Sequence, residues 1–239
     1  MKHSTSLIVL AFIVLSACTP REKGGTEPAR PLFTMPRQTA EPDTGSIIEA
    51  AVWQRVPARK SFCAPWTDDL QDETQFQCYL SPHYMYFRFQ VPDQTLTLKE
   101  PFREKLDVCP EDRAEIFLSA TPGMDIYYCM EMDPKGRTLD YVASFYRQYD
   151  YEWSFATLQT ETQISADGYI VAGRLSTAEM LQLGIPLDGF YMGIFRADFD
   201  GPQNVVWYSL LRVEREQADF HIPEMLYRVE VETPRTTAP

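Results

Sequence analysis

Two glutamates occur inside short apolar segments that have the composition of β-strands, where a charged side chain is unusual. Glu115 lies within AEIFLS and Glu131 lies within IYYCMEM. Because side chains alternate between the two faces of a strand, Glu115 shares a face with Phe117, and Glu131 shares one with Tyr127. Carboxylates accept hydrogen bonds from paired hydroxyl groups, and aromatic rings stack against the C–H face of a pyranose. The pattern therefore indicates a hairpin face that binds sugar, although an ordinary solvated sheet face also fits it.

Four further side chains are candidates for contacts with a ligand. Arg196 lies in the middle of an apolar segment, where it either contacts a ligand or forms a buried ion pair with one of the glutamates. Trp207, within VVWYSLL, is either a core residue or a stacking platform. Phe220 and His221 lie in a loop-like stretch before a proline, and loops often carry ligand contacts.

The elements that would position these side chains are mostly strands. Short segments rich in β-branched and aromatic residues recur along the chain, separated by turn sequences such as Thr-Pro-Gly at 121–123. Only residues 176–184 have helix signals, with Ser176 at the start and Gly184 at the end. Eight or more short strands at this spacing predict an all-β fold: an antiparallel, jelly-roll-like β-sandwich with one short helix.

Composition divides the chain into four parts. Residues 1–17 read as a signal peptide, and residues 18–45 are rich in Pro, Gly, Thr and charge, which predicts a disordered tether. Residues 46–232 form one continuously patterned domain without an internal repeat. Residues 233–239 are predicted to be a flexible tail.

The N-terminus indicates where the protein resides. It has a basic start at Lys2, an apolar run and then small residues, the arrangement of a secretory signal peptide. Its end, LSAC, resembles the bacterial lipobox, which implies cleavage before Cys18 and attachment of lipid to that cysteine. Thr19 rather than an aspartate follows, which favours the outer membrane over the inner one. An ordinary secretion signal with a chance cysteine is the alternative.

The charge and the aromatic content limit the classes of partner. The formal net charge is −12, and an acidic surface repels phosphate backbones, so we expect no nucleic-acid partner. Aromatic residues make up 13% of the chain, which suits a binding surface and equally suits a β-rich core.

Four cysteines remain when the predicted lipid-bearing Cys18 is set aside. They are Cys63, Cys78, Cys109 and Cys129. An even number in an oxidising compartment predicts one or two disulfides, with three possible connectivities for two bridges. Zinc ligation is the other possibility, but the chain contains no CxxC spacing.

Motifs that would identify an enzyme are scarce. The sequence has no GxSxG elbow, no HExxH and no glycine-rich phosphate loop. A glycoside hydrolase needs only two carboxylates at a suitable separation, so Glu115 and Glu131 leave that activity formally open.

Five segments, taken in order, resemble family 9 carbohydrate-binding modules and their stand-alone bacterial relatives, a DOMON-like type of sandwich. They are DRAEIF at 112–117, YYCME at 127–131 with Gly136, GYIVAG at 168–173, FRADF at 195–199 with Trp207, and DFHIPE at 219–224. The segments span most of the predicted domain, and their ordered succession is more specific than any one of them.

This resemblance implies a non-catalytic sandwich that binds oligo- or polysaccharide, commonly plant polysaccharide such as xylan. Relatives with a xylanase label usually owe it to a separate catalytic domain, so a partner glycoside hydrolase is implied here. Two tryptophans clamp the sugar in xylanase-appended members, and those positions fall on Cys109 and Phe220, of which only Phe220 can stack. Several members bind Ca²⁺, for which Asp198 and Asp200 are candidate ligands.

Two alternatives stay open under the same resemblance. Haem-binding relatives of this sandwich use Met with His or Lys as axial ligands, and Met85, Met130, Met132, Met192 and His221 are candidates here. No CxxCH occurs, so such a haem would be non-covalent. The other alternative is a scaffold lipoprotein whose sandwich has lost its ligand.

Overall fold

The computed structural model describes residues 30–42, 45–68, 70–201 and 204–233, in which fourteen strands form two sheets. The strands are β1 (Leu32–Met35), β2 (Phe62–Ala64), β3 (Leu70–Asp72), β4 (Gln75–Leu80), β5 (Tyr84–Pro92), β6 (Arg113–Ser119), β7 (Ile126–Met132), β8 (Thr138–Ser144), β9 (Gln148–Asp150), β10 (Gln159–Ser165), β11 (Gly168–Ser176), β12 (Gly189–Phe199), β13 (Val205–Ser209) and β14 (Tyr227–Val231). One α-helix, α1, spans Thr177–Gln182, and the Ser176 side chain caps it by accepting a hydrogen bond from the Glu179 backbone N–H. The predicted antiparallel β-sandwich with one short helix is confirmed.

The larger sheet contains ten strands and the smaller sheet contains four. The order in the larger sheet is β3-β2-β13-β12-β6-β7-β8-β9, with β14 also paired to β12 and β1 paired to β14. The order in the smaller sheet is β10-β11-β5-β4. Neighbouring strands are antiparallel except β1 and β14, which are parallel.

The main hydrophobic core lies between the two sheets. Ile116 and Leu118 of β6 and Met130 of β7 pack there with Phe87 and Val171 of the smaller sheet. These residues are the alternate positions of each strand, as the period of two requires.

The opposite, outer face of the larger sheet is buried as well. Phe117, Tyr127 and Phe195 point to this face, where they join a second cluster with Val108 and Phe220. All seven residues of β6 are buried, so this strand has no solvated face. The two glutamates consequently lie under a covering layer of loops and not on an open sheet.

The predicted tether is wrong over residues 32–35. These residues form β1, which pairs with β14 in the register Leu32 to Arg228 and buries Phe33 and Met35 in the main core. The alternation of exposed and buried side chains in LFTM is typical of an edge strand, and a Pro-rich neighbourhood obscured it. The domain therefore begins before residue 46.

We expect Phe33→Ala to lower the free energy of unfolding by about 3 kcal/mol, because it removes a buried aromatic ring from the main core. Thr34→Ala is the matched control, since Thr34 is exposed on the same strand, and its effect should stay below about 0.5 kcal/mol. Chemical denaturation measures both. Equally small effects would show that β1 does not pack against the sandwich in solution.

The predicted disulfides are also wrong. Cys78, Cys109 and Cys129 are free thiols, which leaves no bridge among the four cysteines of the described chain. Cys78 lies in the core between the sheets, whereas Cys129 lies in the cluster on the outer face of the larger sheet. The larger sheet therefore separates these two thiols. Cys63 lies on β2, with its Sγ 3.7 Å from the Ser209 carbonyl oxygen.

Three of the sequence predictions fall outside the described residues. They are the signal peptide at 1–17, the lipid attachment at Cys18 and the tail from residue 234 onward. Within the described ranges, no helix is both long and apolar enough to cross a membrane.

Candidate functional site

Glu115 and Glu131 lie directly opposite each other on the adjacent strands β6 and β7. Both side chains point to the outer face of the larger sheet, and only 2% and 5% of their surfaces are exposed. A pair of carboxylates at this depth requires compensating charge and hydrogen bonds.

Arg113 supplies most of that compensation. Its Nε lies 2.7 Å from Glu131 Oε2 and 2.9 Å from Glu115 Oε1, and its Nη1 donates to the Cys109 carbonyl oxygen at 2.6 Å. The Tyr141 hydroxyl donates to the other oxygen of Glu131 at 2.7 Å. One guanidinium therefore contacts two carboxyl groups, so this cluster of three side chains contains one more acid than base.

Glu115 is the less satisfied of the two acids. The Nε–H of Arg113 is directed at Glu131, and no described residue makes a hydrogen bond to the buried Oε1 of Glu115. Burial raises the pKa of Glu115 to about 8; the nearby charge of Glu131 also raises it, and Arg113 lowers it. At neutral pH this carboxyl group therefore carries a proton and can donate a hydrogen bond to a ligand oxygen.

The acid pair opens into a small cavity of about 130 Å³, which we name the acid pocket. It is lined by Arg113, Glu115, Glu131, Arg147, Trp207, Ala218, Asp219, Phe220 and His221. The aromatic wall is fixed by packing, because the Phe220 ring stacks on Phe195 at 4.1 Å and meets the Trp207 ring edge-on at 5.4 Å. Five of the seven predicted site residues thus line one cavity.

His221 is a neutral member of the pocket. Its Nδ1 lies 3.1 Å from the Tyr127 hydroxyl. Burial, helped by the positive charge of Arg147, lowers the pKa of His221 to about 3. Tyr127 itself is fully buried and does not line the pocket, so it holds His221 in place and does not reach a ligand.

The outer rim of the pocket is held by contacts between two loops. Asp219 accepts hydrogen bonds from Arg147 Nη2 at 2.7 Å and from the Tyr146 hydroxyl at 2.5 Å. Beyond this contact lies a larger groove of about 980 Å³, which we name the rim groove. It shares Arg147, Ala218 and Asp219 with the acid pocket, and half of the surface of its Tyr146 is exposed.

Arg196 does not belong to this site. It is one residue out of phase with Phe195, so its side chain points to the opposite face of the larger sheet. There its guanidinium contacts Asp72, and its Nη2 lies 2.9 Å from Asp93 and 3.2 Å from Asp198. The sequence leaves open a buried ion pair between Arg196 and Glu115 or Glu131. In the structure Arg196 pairs with these aspartates instead.

The residues considered for calcium do not fit that ion well. Asp93, Asp112 and Asp198 each bring one carboxylate oxygen to within 4.8 Å of the others, and Asp200 is not part of this group. Arg196 already contacts Asp93 and Asp198, and both oxygens of Asp112 accept backbone N–H hydrogen bonds. The guanidinium supplies the positive charge that a bound cation would bring.

The residues considered for haem ligation are on different faces of the sheet. Met85, Met130, Met132 and Met192 are fully buried in the core between the sheets. His221 lies on the outer face of the larger sheet. None of these methionines therefore forms an axial pair with His221.

Sequence reasoning overlooked Arg113, Arg147 and Asp219. Arg113 stands two residues before Glu115, so the alternation that grouped the acids also places the arginine on their face. Arg147 and Asp219 come from separate loops, and no local pattern indicates that they meet.

An all-β sandwich with buried acids, a fixed aromatic wall and an adjoining groove defines a ligand-binding module. The model of the carbohydrate family 9 binding domain-like family matches residues 45–214, and the chain belongs to this family. No curated protein gives a significant match to the chain.

Solved structures agree on the fold. A candidate carbohydrate-binding protein from Bacteroides uniformis superposes with a TM-score of 0.68 at 14% identity, over 85% of this chain and 100% of its own. A family 9 carbohydrate-binding module from Caldicellulosiruptor kristjanssonii in complex with glucose gives a TM-score of 0.57 at 12% identity, over 87% and 98% of the two chains. The same kind of module in complex with cellotriose gives 0.58 at 14% identity, with the same coverage.

Proposed function

We propose that this chain is a lipid-anchored envelope protein that binds saccharide in the acid pocket and does not hydrolyse it. The observation that carries the proposal is the buried Glu115 Oε1, which is ion-paired with Arg113 but accepts no hydrogen bond, at a cavity walled by Trp207 and Phe220. A sugar hydroxyl would satisfy this oxygen, and the aromatic wall would cover the C–H face of the ring.

The acids support ligand selection by hydrogen bonding. A protonated Glu115 donates one hydrogen bond and still accepts others, while Glu131 is held by Arg113 and Tyr141. Neighbouring hydroxyl groups of a pyranose both donate and accept, so a mixed carboxyl pair matches them. The rim groove offers room for further sugar units, with the exposed ring of Tyr146 beside it.

The same geometry argues against hydrolysis. A glycoside hydrolase places its two carboxyl groups on either side of the scissile bond. Here both carboxylates contact the same nitrogen of Arg113, so the guanidinium occupies the space between them. We therefore propose an accessory role beside a separate glycoside hydrolase.

The solved relatives support a class of saccharide for this chain. The modules that bind glucose and cellotriose share the fold, which supports a plant-type β-linked glucan as the ligand of this chain. Xylan is proposed on the family resemblance alone. The lipobox-like LSAC segment supports the envelope anchor at Cys18, and Thr19 in the place of an aspartate supports an outer-membrane location.

Glu131→Gln is expected to weaken binding of cellotriose at least about tenfold, because it removes the charged acceptor that fixes Arg113 and Tyr141. Isothermal titration of the purified chain with glucose and cellotriose measures the effect. Glu73→Gln, at an exposed position away from the pocket, is the matched control and should bind as the parent does.

Two outcomes would contradict the proposal. Failure of the parent chain to bind any sugar on a glycan array would favour the scaffold alternative. Release of reducing sugar from xylan or glucan, lost in Glu115→Gln, would identify an enzyme.

A further inference from the structure

A second polar groove lies on the outer face of the smaller sheet, remote in the fold from the acid pocket. It has a volume of about 390 Å³ and runs between strands β4 and β5 and the segment 48–54 that crosses them. Its lining residues are Ile48, Glu49, Ala50, Trp53, Gln54, Gln75, Gln77, Arg88 and Gln90. We name it the arginine groove.

The strand register concentrates amides and one guanidinium at this place. Gln75 pairs with Gln90, and Gln77 pairs with Arg88, so the four side chains form two adjacent cross-strand rows on one face. Gln77 is buried, and its amide N–H groups donate hydrogen bonds to the carbonyl oxygens of Trp53 and Val56. These bonds hold the crossing segment in place. Gln75 and Gln90 are half-buried in the groove, and Gln54 is exposed.

Arg88 differs from the other deeply placed arginines in its partners. Arg113, Arg137 and Arg196 each contact two or more carboxylates. Arg88 instead donates to the Ile48 carbonyl oxygen at 3.3 Å and to Gln90 Oε1 at 2.7 Å, both neutral acceptors. Among the described residues, no carboxylate forms an ion pair with it.

Arg88 also has unused hydrogen-bonding capacity. Its Nε is buried and has no partner, and its guanidinium lies over the Trp53 ring at 5.6 Å, which limits its freedom to move. Burial lowers the pKa of Arg88 below its usual value, although an arginine stays protonated at neutral pH. A half-buried cation without a counter-charge is costly, and a carboxylate bound beside it would relieve that cost.

We propose that the arginine groove is a second ligand site, which takes a sugar that bears a carboxylate. The part of the Arg88 guanidinium that lines the groove binds the carboxylate, and the amides of Gln75, Gln90 and Gln54 bind the hydroxyl groups. Amides suit hydroxyl groups because each offers both a donor and an acceptor. The arginine groove would then bind acidic sugar units, and the acid pocket would bind neutral ones.

The test is a titration of the ¹⁵N-labelled purified chain with sodium glucuronate, with glucose as the neutral match. The Trp53 indole N–H, which donates to the Ile47 carbonyl oxygen at 2.6 Å, is the reporter, and a Trp53→Phe variant assigns its signal. We expect a saturable shift of this signal with glucuronate and none with glucose at the same concentration.

Arg88→Gln is expected to weaken glucuronate binding at least tenfold, and Gln90→Ala is a second variant that leaves the cation in place and should weaken it less. Thermal unfolding checks that both variants are folded, and binding of neutral sugar to the acid pocket should be unchanged. The absence of a saturable shift, an equal response to glucose, or undiminished binding in folded Arg88→Gln would overturn the proposal. Acetate binding as tightly as glucuronate would overturn the assignment to a sugar.

Discussion

Replacement of Arg113 by methionine is expected to lower the free energy of unfolding by about 4 kcal/mol at pH 8. The substitution keeps an apolar stem of similar length but leaves Glu115 and Glu131 buried on one sheet face without a cation. Breaking a buried ion pair costs this much because the surviving charge is no longer solvated by water or by a partner. At pH 5 the loss should be smaller, since the carboxyl groups then take up protons.

Urea denaturation at the two pH values measures this loss of stability. Two further variants distinguish charge compensation by Arg113 from its packing contacts. Arg228→Met removes an arginine whose ion pair with Glu230 is exposed, and it should change stability little. Adding Glu115→Gln and Glu131→Gln to Arg113→Met should recover most of the loss. If the triple variant stays as unstable as the single one, the role of Arg113 is packing against Phe199 and Trp207 and not charge compensation.

Stability of the parent chain is expected to fall as the pH rises from about 5 to about 8, and Glu115→Gln should remove part of this fall. The pKa of Glu115 is raised from 4.5 to about 8 in the folded chain, mainly by burial. Between these values the folded chain holds a proton that the unfolded chain has released, so each rise in pH favours unfolding. One such proton contributes a slope of up to about 1.4 kcal/mol per pH unit.

The comparison of parent and variant isolates this one group. Glu111 and Asp112, whose pKa values burial raises to about 7, contribute slopes of the same sign. His221, whose pKa burial lowers from 6.5 to about 3, contributes a slope of the opposite sign below about pH 6.5, and all three groups are present in both proteins. The free energy of unfolding should therefore decline less steeply for Glu115→Gln than for the parent, and the variant should be the more stable protein at pH 8. Parallel curves would show that Glu115 is ionised in the folded chain at neutral pH.

The sequence predicts the orientation of the acid pair well. Alternation along a strand is set by the backbone, so grouping Glu115 with Phe117 and Glu131 with Tyr127 needs no tertiary information. The strand and turn signals likewise predict the sandwich, because many short strands have few other ways to bury their apolar faces.

The burial of that face could not be predicted locally. Phe220 and Val108 cover it from distant parts of the chain, and their contacts depend on the completed sheet. The same holds for Arg196, whose partners Asp72 and Asp93 come from different strands and loops. Strand β1 was missed because four residues carry too little pattern, and their burial depends on β14 near the other end of the chain.

The parallel pairing of β1 with β14 has a mechanical consequence. Tension that enters the domain through the chain before Leu32 and acts along the axis of β1 meets the hydrogen bonds of this pair in shear, so they bear the load together instead of opening one by one. The buried ring of Phe33 and the half-buried ring of Tyr227, whose centroids are 5.8 Å apart, add resistance to sliding. A pull that reaches the domain through the chain before Leu32 is therefore resisted by the first strand it meets.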